Sequence, residues 1–188
     1  EDRIEIYTVN LDWNDPSNTS VEQTSVPTAP YDSNPCSVSG FGFSCVPQAG
    51  NGGGLDGLPE IIMNQPHYRN FGTHESLVLT FLVDATAGEN LSAMRWVEMR
   101  RTAGSEWAVY QEGTYAPDDG LDRYSGTIAM DGSGNIGLAY AVSSEEEFVG
   151  IRFTGRRASD PLGMMTVQEY ELVGGTNTIQ SNARFGDY

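Results

Sequence analysis

The sequence predicts an all-β protein, part of a β-propeller built from four-stranded blades, with a β-sandwich as the alternative. Three observations carry this. The 22 Gly and 9 Pro are spread over all 188 residues and cut the chain into short segments, as tight turns do between strands. The segments show period-two alternation of apolar and polar residues. Finally, two landmarks recur at a spacing near that of kelch-type blades.

The first segment, Arg3 to Trp13, places Ile4, Ile6, Thr8 and Asn10 on one face and Glu5, Tyr7, Val9 and Leu11 on the other. Residues 14–59 hold most of the prolines, both cysteines and the Gly50–Gly54 cluster, and read as an irregular surface excursion pinned by a disulfide. From Ile61 eight strands follow at regular intervals: 61–71, 77–84, 94–101, 107–111, 124–130, 136–143, 150–156 and 166–173. The run Ser143 to Phe148 (SSEEEF) is about one and a half helical turns long between two strands, and reads as a loop.

The first landmark is Met94-Arg95-Trp96 with Arg100-Arg101, repeated as Ile151-Arg152-Phe153 with Arg156-Arg157, 57 residues apart (95 to 152). The second is Arg, aromatic, Gly: Arg69-Asn-Phe-Gly72, Arg123-Tyr-Ser-Gly126 and Arg184-Phe-Gly186. The division that follows is a strand of a preceding blade at 1–13, the excursion at 14–59, blades at 60–117 and 118–176, and the start of a further blade at 177–188. Two and a half blades cannot close a ring of the usual four to eight. The expected partners are the remaining blades of the same polypeptide or neighbouring subunits.

Charge narrows the function classes. Twenty-six acidic residues against ten basic ones give a net charge of −16, which repels nucleic acid and anionic membranes. All ten basic residues are Arg, which suits bidentate carboxylate pairing and saline surroundings. No segment has the roughly 20 apolar residues of a membrane helix, so membrane insertion is not expected. Cys36 and Cys45 sit in a Ser/Gly/Pro-rich loop without CxxC or a nearby His, and a local disulfide formed in an oxidising compartment is the better reading. The segment EDRIEIYTV has no signal-peptide character, so a secretion signal is expected upstream of Glu1.

Few residues point to chemistry. Arg69, Arg123 and Arg184, each at the start of an innermost strand, would ring one mouth of a channel and could grip a carboxylate; pairing with an acidic residue such as Glu75 or Asp187 is the preferred reading. Asp131, Ser133 and Asn135 present oxygens at alternate positions as a calcium loop begins, but Ile136 replaces the required Gly, no Glu closes the loop, and a hairpin turn explains them better. Asp118, Asp119 and Asp122 raise calcium with equally little specificity. No cofactor is otherwise expected. His67 and His74 read as structural, and Trp13, Trp96 and Trp107 as core rather than sugar-stacking residues.

As a set, Tyr68-Arg-Asn-Phe-Gly72, Met94-Arg-Trp96, Tyr110-Gln-Glu-Gly-Thr-Tyr-Ala-Pro117, Ile128-Ala-Met-Asp131, Gly134-Asn-Ile136, Thr154-Gly-Arg156, Asp160-Pro-Leu-Gly163, Arg184-Phe-Gly-Asp-Tyr188 and Cys45-Val-Pro-Gln48 resemble a family of large secreted bacterial proteins of unassigned function with sialidase-like propeller repeats. The resemblance implies a chain that continues past Tyr188 and transfers no catalytic residue. The Asp-box pattern of true sialidases is missing, since Ser133-Gly-Asn135 lacks its spacing and its Trp. The expected function is a noncatalytic extracellular or cell-surface module, an adhesin or structural subunit, with glycans among its candidate ligands. The alternative is a propeller glycoside hydrolase acting on acidic sugars.

Overall fold

The computed structural model describes residues 2–36, 44–59, 61–86 and 90–180. Among these the secondary structure is antiparallel β, with a single 3-10 turn at Pro16–Asn18 capped by the Asp15 carboxylate. The strands are β1 (Arg3–Asn10), β2 (Ser20–Pro27), β3 (His67–Asn70), β4 (Glu75–Asp84), β5 (Ser92–Arg101), β6 (Ala108–Tyr115), β7 (Asp122–Met130), β8 (Ile136–Ser143), β9 (Gly150–Arg156) and β10 (Val167–Val173). They form a β1–β2 hairpin and two four-stranded meanders, β3-β4-β5-β6 (sheet I) and β7-β8-β9-β10 (sheet II). Each meander falls inside one segment of the sequence division.

Sheet I is covered on both faces, and its central strands read accordingly. β4 (ESLVLTFLVD) and β5 are nearly continuous in buried residues, as strands without a wet side are. Leu79, Phe81, Val83, Ala93, Val97 and Met99 pack against Ile4 and Val26 of the hairpin. On the other face Val78, Met94 and Trp96 meet Ile128, Met130, Ile136, Leu138 and Tyr140 of sheet II. From Gly126 to Ala139 the residues of β7 and β8 instead alternate between buried and less buried positions, because no described sheet covers the far face of sheet II.

Turn chemistry fixes the hairpin ends. Between β3 and β4, Asn70 Oδ1 accepts from Gly72 N at 2.7 Å, and Gly72 has φ +81°, a conformation glycine adopts without steric cost. Between β7 and β8 the same part is played by Asp131 and by Gly134 at φ +82°. Of the run Ser143–Phe148, Ser143 closes β8 and residues 144–148 lie in the β8–β9 turn, so the run forms no helix, as expected.

Three sequence expectations are corrected. The stretch expected to be irregular contains β2, whose polar sequence SVEQTSVP hides it because all but two of its side chains are exposed. The strand expected at 61–71 is ordered as a ladder only over His67–Asn70. The excursion is also not confined to the surface. Cys36 and Cys45 are joined in a disulfide, with Cα atoms 5.4 Å apart. Beyond it Val46 and Leu55 enter a third apolar cluster with Leu82 of sheet I and Tyr124, Ala141 and Val149 of sheet II. Gln48, also buried, bonds Ile179 with both ends of its amide, accepting from its N at 2.8 Å and donating to its O at 3.1 Å. The segment is a plug seated across the ends of both sheets.

The three β units repeat in register. Arg95 on β5 pairs with Glu112 on β6 at 2.5 Å, and Arg152 on β9 pairs with Glu169 on β10 at 3.0 Å, so arginine and glutamate recur with one spacing. The hairpin joins the series through Ala29-Pro30 after β2 and Ala116-Pro117 after β6. Matching those dipeptides sets Pro27 against Thr114. Pro27 stands opposite Arg3 and Thr114 opposite Arg95, so Arg3 is the equivalent of Arg95. The hairpin therefore corresponds to the third and fourth strands of a sheet. In each unit the arginine (Arg3, Arg95, Arg152) lies on one face and the next residue (Ile4, Trp96, Phe153) on the other, where Ile4 and Trp96 pack against the following unit.

Candidate functional site

The densest set of charges lies where β7 begins. Arg123, the second residue of β7, is 1% exposed. Its Nη1 and Nη2 reach Asp119 at 3.0 and 2.6 Å, its Nε and Nη2 reach Glu169 at 2.9 and 3.2 Å, and Nη1 also donates to Leu121 O at 3.0 Å. Glu169 further accepts from Arg152 and from the Tyr140 hydroxyl, and Arg152 extends the chain of charges to Glu147. Burial opposes ionisation of both partners, but the hydrogen bonds outweigh it: the Arg123 pKa is raised and that of Glu169 lowered. Burial, followed by the Glu169 carboxylate, pushes Tyr140 up. Fixed, bidentate pairing of this kind uses the geometry particular to arginine.

Beside this cluster opens a groove of about 830 Å³ lined by Pro47, Asn90, Leu91, residues 119–122 and residues 144–147. Its walls carry Asp119, Asp122, Glu145, Glu146 and Glu147. Asp122 accepts from Ser92 N at 2.8 Å, and burial raises its pKa. A cleft with this lining favours cationic or neutral polar groups over anions.

The structure separates Arg69 from Arg123. Arg69 lies near the turn end of β3 and donates through Nε to Met130 O, the last residue of β7, at 3.0 Å. Arg123 lies seven positions before Met130 on β7, roughly 23 Å at strand rise. The two share a spacing in sequence but not a level in the sheets, because one precedes a hairpin turn and the other opens its strand. Arg184 and Asp187 lie outside the described residues, and Glu75 pairs with Arg101 at 2.6 Å.

Asp131, Ser133 and Asn135 form a turn closed by its own hydrogen bonds. Asp131 Oδ1 accepts from Ser133 N and Asn135 N, and its Oδ2 from Asn135 Nδ2. The Asn135 side-chain oxygen accepts from Ala158 N at 3.0 Å. The bonds to Asp131, that from the Asn135 side chain first, lower its pKa. Among the described residues no group of three or more His, Cys, Asp or Glu is placed to hold a metal ion.

His67 accepts from Met130 N at 3.3 Å, and His74 stacks on Phe71 with centroids 4.9 Å apart. Trp96 is core at 1% exposure, and Trp107 lies under Arg101, whose guanidinium carbon is 4.6 Å from the ring centroid. Trp13 departs from the core expectation: it is 86% exposed in the connection after β1. Sequence reasoning found Arg95 and Arg152 as repeat landmarks but missed Glu112 and Glu169, although each follows its arginine by the same interval. It also missed Glu98, fully buried on β5, which accepts from Ser76, Arg100 and Gln111.

Compared with protein-family models, curated proteins and solved structures, the chain gives no match in any of the three. Among the described residues no helix is long and apolar enough to cross a membrane.

Proposed function

We propose that this chain is a noncatalytic extracellular or cell-surface module, an adhesin or structural subunit, and a section of a β-propeller whose blades are sheets I and II. The observation that carries this reading is the register-true repeat of hairpin, sheet I and sheet II, each stacked on the next by the same face. A propeller blade is a four-stranded meander covered on both faces by its neighbours, and sheet I is built and covered in that way. The largest charge cluster supports a structural role, since the Arg123 donors that would grip an acidic ligand are occupied by Asp119, Glu169 and Leu121 O. The disulfide fits an oxidising compartment.

Glycan-array binding and turnover assays test the proposal together. Binding without turnover supports it. Sustained hydrolysis of an acidic glycan, lost when Asp122 and Glu145 are changed to their amides, would overturn it in favour of the glycoside hydrolase.

A further inference from the structure

Among the described residues two faces of the stack are uncovered, and they are the two halves of an interface that already occurs twice inside the chain. At one end is the far face of sheet II, with Ile151, Phe153, Tyr170 and Val173 beside the small residues Ala129 and Gly137. Register makes Ile151 and Phe153 the equivalents of Met94 and Trp96, which are 1% exposed between the sheets, whereas Ile151 is 39% exposed. Phe153 and Tyr170 stack on each other at 5.5 Å, and among the described residues no further sheet lies on them. At the other end is the arginine-bearing face of the hairpin, with Arg3, Glu5, Tyr7 and Val9 facing the same way as Val21, Gln23 and Ser25. Tyr7 is the equivalent of Met99, which is fully buried against the hairpin.

We infer that these two faces bind each other between copies of this chain: the arginine-bearing hairpin face of one molecule seats on the far face of sheet II of another, head to tail. The inference rests on the stacking reading given above and names the partner for its open ends. Three lines of argument select a second copy. The arginine-bearing face is the one that sheets I and II each present to the preceding unit. The apolar residue after the arginine is the one that the hairpin and sheet I each present to the following unit. Among the described residues one face of each kind is left uncovered. Such contacts are heterologous, so they propagate into a ring or a filament rather than ending at a two-fold dimer. The charge of −16 on each copy opposes contact, and salt screens that repulsion; association should strengthen as salt rises.

The test uses the whole chain and two single substitutions, Tyr7→Asp at an exposed position of the hairpin face and Phe153→Asp at a half-buried position of sheet II, with folding checked by circular dichroism. Light scattering after size exclusion, over a micromolar concentration series and salt up to about 1 M, where the Debye length is about 3 Å, reads the mass. Wild type should form species larger than a dimer. Each variant alone should stay monomeric, since each retains only one working face. An equimolar mixture should give a 1:1 complex of twice the monomer mass, since Phe153→Asp supplies the intact hairpin face and Tyr7→Asp the intact sheet. A monomeric wild type, association of either variant alone, or a mixture that stays monomeric would each overturn the inference. Those results leave the noncatalytic reading standing, because that reading falls only to glycan turnover.

Discussion

Replacing Arg123 by alanine tests whether the buried charge cluster holds sheet II together. Removing one partner of a buried ion pair costs about 3–5 kcal/mol when the remaining charge is stranded. Here the stranding is incomplete. Glu169 keeps Arg152 at 3.0 Å and the Tyr140 hydroxyl, and the Asp119 side chain, 36% exposed, can take up water. The loss should therefore sit at the lower end, about 3 kcal/mol, with part of it from the lost guanidinium contact with Tyr115 and Tyr140, whose ring centroids lie 5.6 and 5.9 Å from its carbon. Lysine keeps the charge but cannot bridge two carboxylates, and Arg123→Lys should recover about half of the loss. Urea unfolding followed by tryptophan fluorescence reads these values. A double-mutant cycle with Glu169→Ala should give a coupling of about 1–3 kcal/mol. The pH dependence has a definite sign. The folded pKa of Glu169 lies below its ordinary 4.5, so its contribution is intact above that value and lost as pH falls through the lower folded one. Glu169→Gln should flatten stability in that acidic window. An Arg123→Ala loss under about 1 kcal/mol, or additivity in the cycle within about 0.3 kcal/mol, would refute the reasoning.

Reducing the Cys36–Cys45 bond should cost about 2–3 kcal/mol, as the chain-entropy relation gives for a loop of about ten residues; unfolding with and without reductant, alongside mass spectrometry of unreduced peptides, checks both the value and the bond. Trp96→Ala should lose about 3–5 kcal/mol through a cavity between the sheets, while Trp13→Ala should change stability by less than about 0.5 kcal/mol; equal effects would mean that the burial pattern is wrong. Burial holds the Tyr124 hydroxyl up at about 12 against an ordinary 10, so its contribution is complete below pH 10 and disappears as pH rises toward 12, and ultraviolet titration should show Tyr124 ionising late, together with unfolding. Added calcium should leave the melting temperature of wild type unchanged, whereas a rise that Asp131→Ala abolishes would make the β7–β8 turn a metal site.

Much of the fold was legible because strand alternation is a local property. β8 and β9 match the sequence expectation residue for residue, and the two faces of β1 were assigned from alternation alone. What escaped notice depends on distant partners. β2 carries few apolar residues because only Val26 must enter the core. The plug is written in Gly, Pro and Gln, residues that signal loops, and Val46 and Leu55 acquire meaning only once Leu82 and Tyr124 arrive beside them. The arginine landmarks divide the same way. Arg95 and Arg152 recur because each must pair across to the fourth strand, so their spacing reports structure. Arg69 and Arg123 coincide in spacing while answering to different neighbours. Arg3 was hidden because the insertion between β2 and β3 stretches its interval to Arg95 well beyond that from Arg95 to Arg152.

That insertion bears on the order in which the molecule forms. Within the hairpin and both meanders, paired strands are adjacent in the chain, so each can zip up as soon as its own residues are available, at little cost in loop closure. The two bonds between Gln48 and Ile179 span 131 residues, and nothing shortens that span until sheets I and II have stacked. Seating of the plug is thus the last step in assembly and the first to reverse. Hydrogen exchange should find the Ile179 amide opening at lower free energy than the β4 and β5 amides, with Val46 and Leu55 released in the same event.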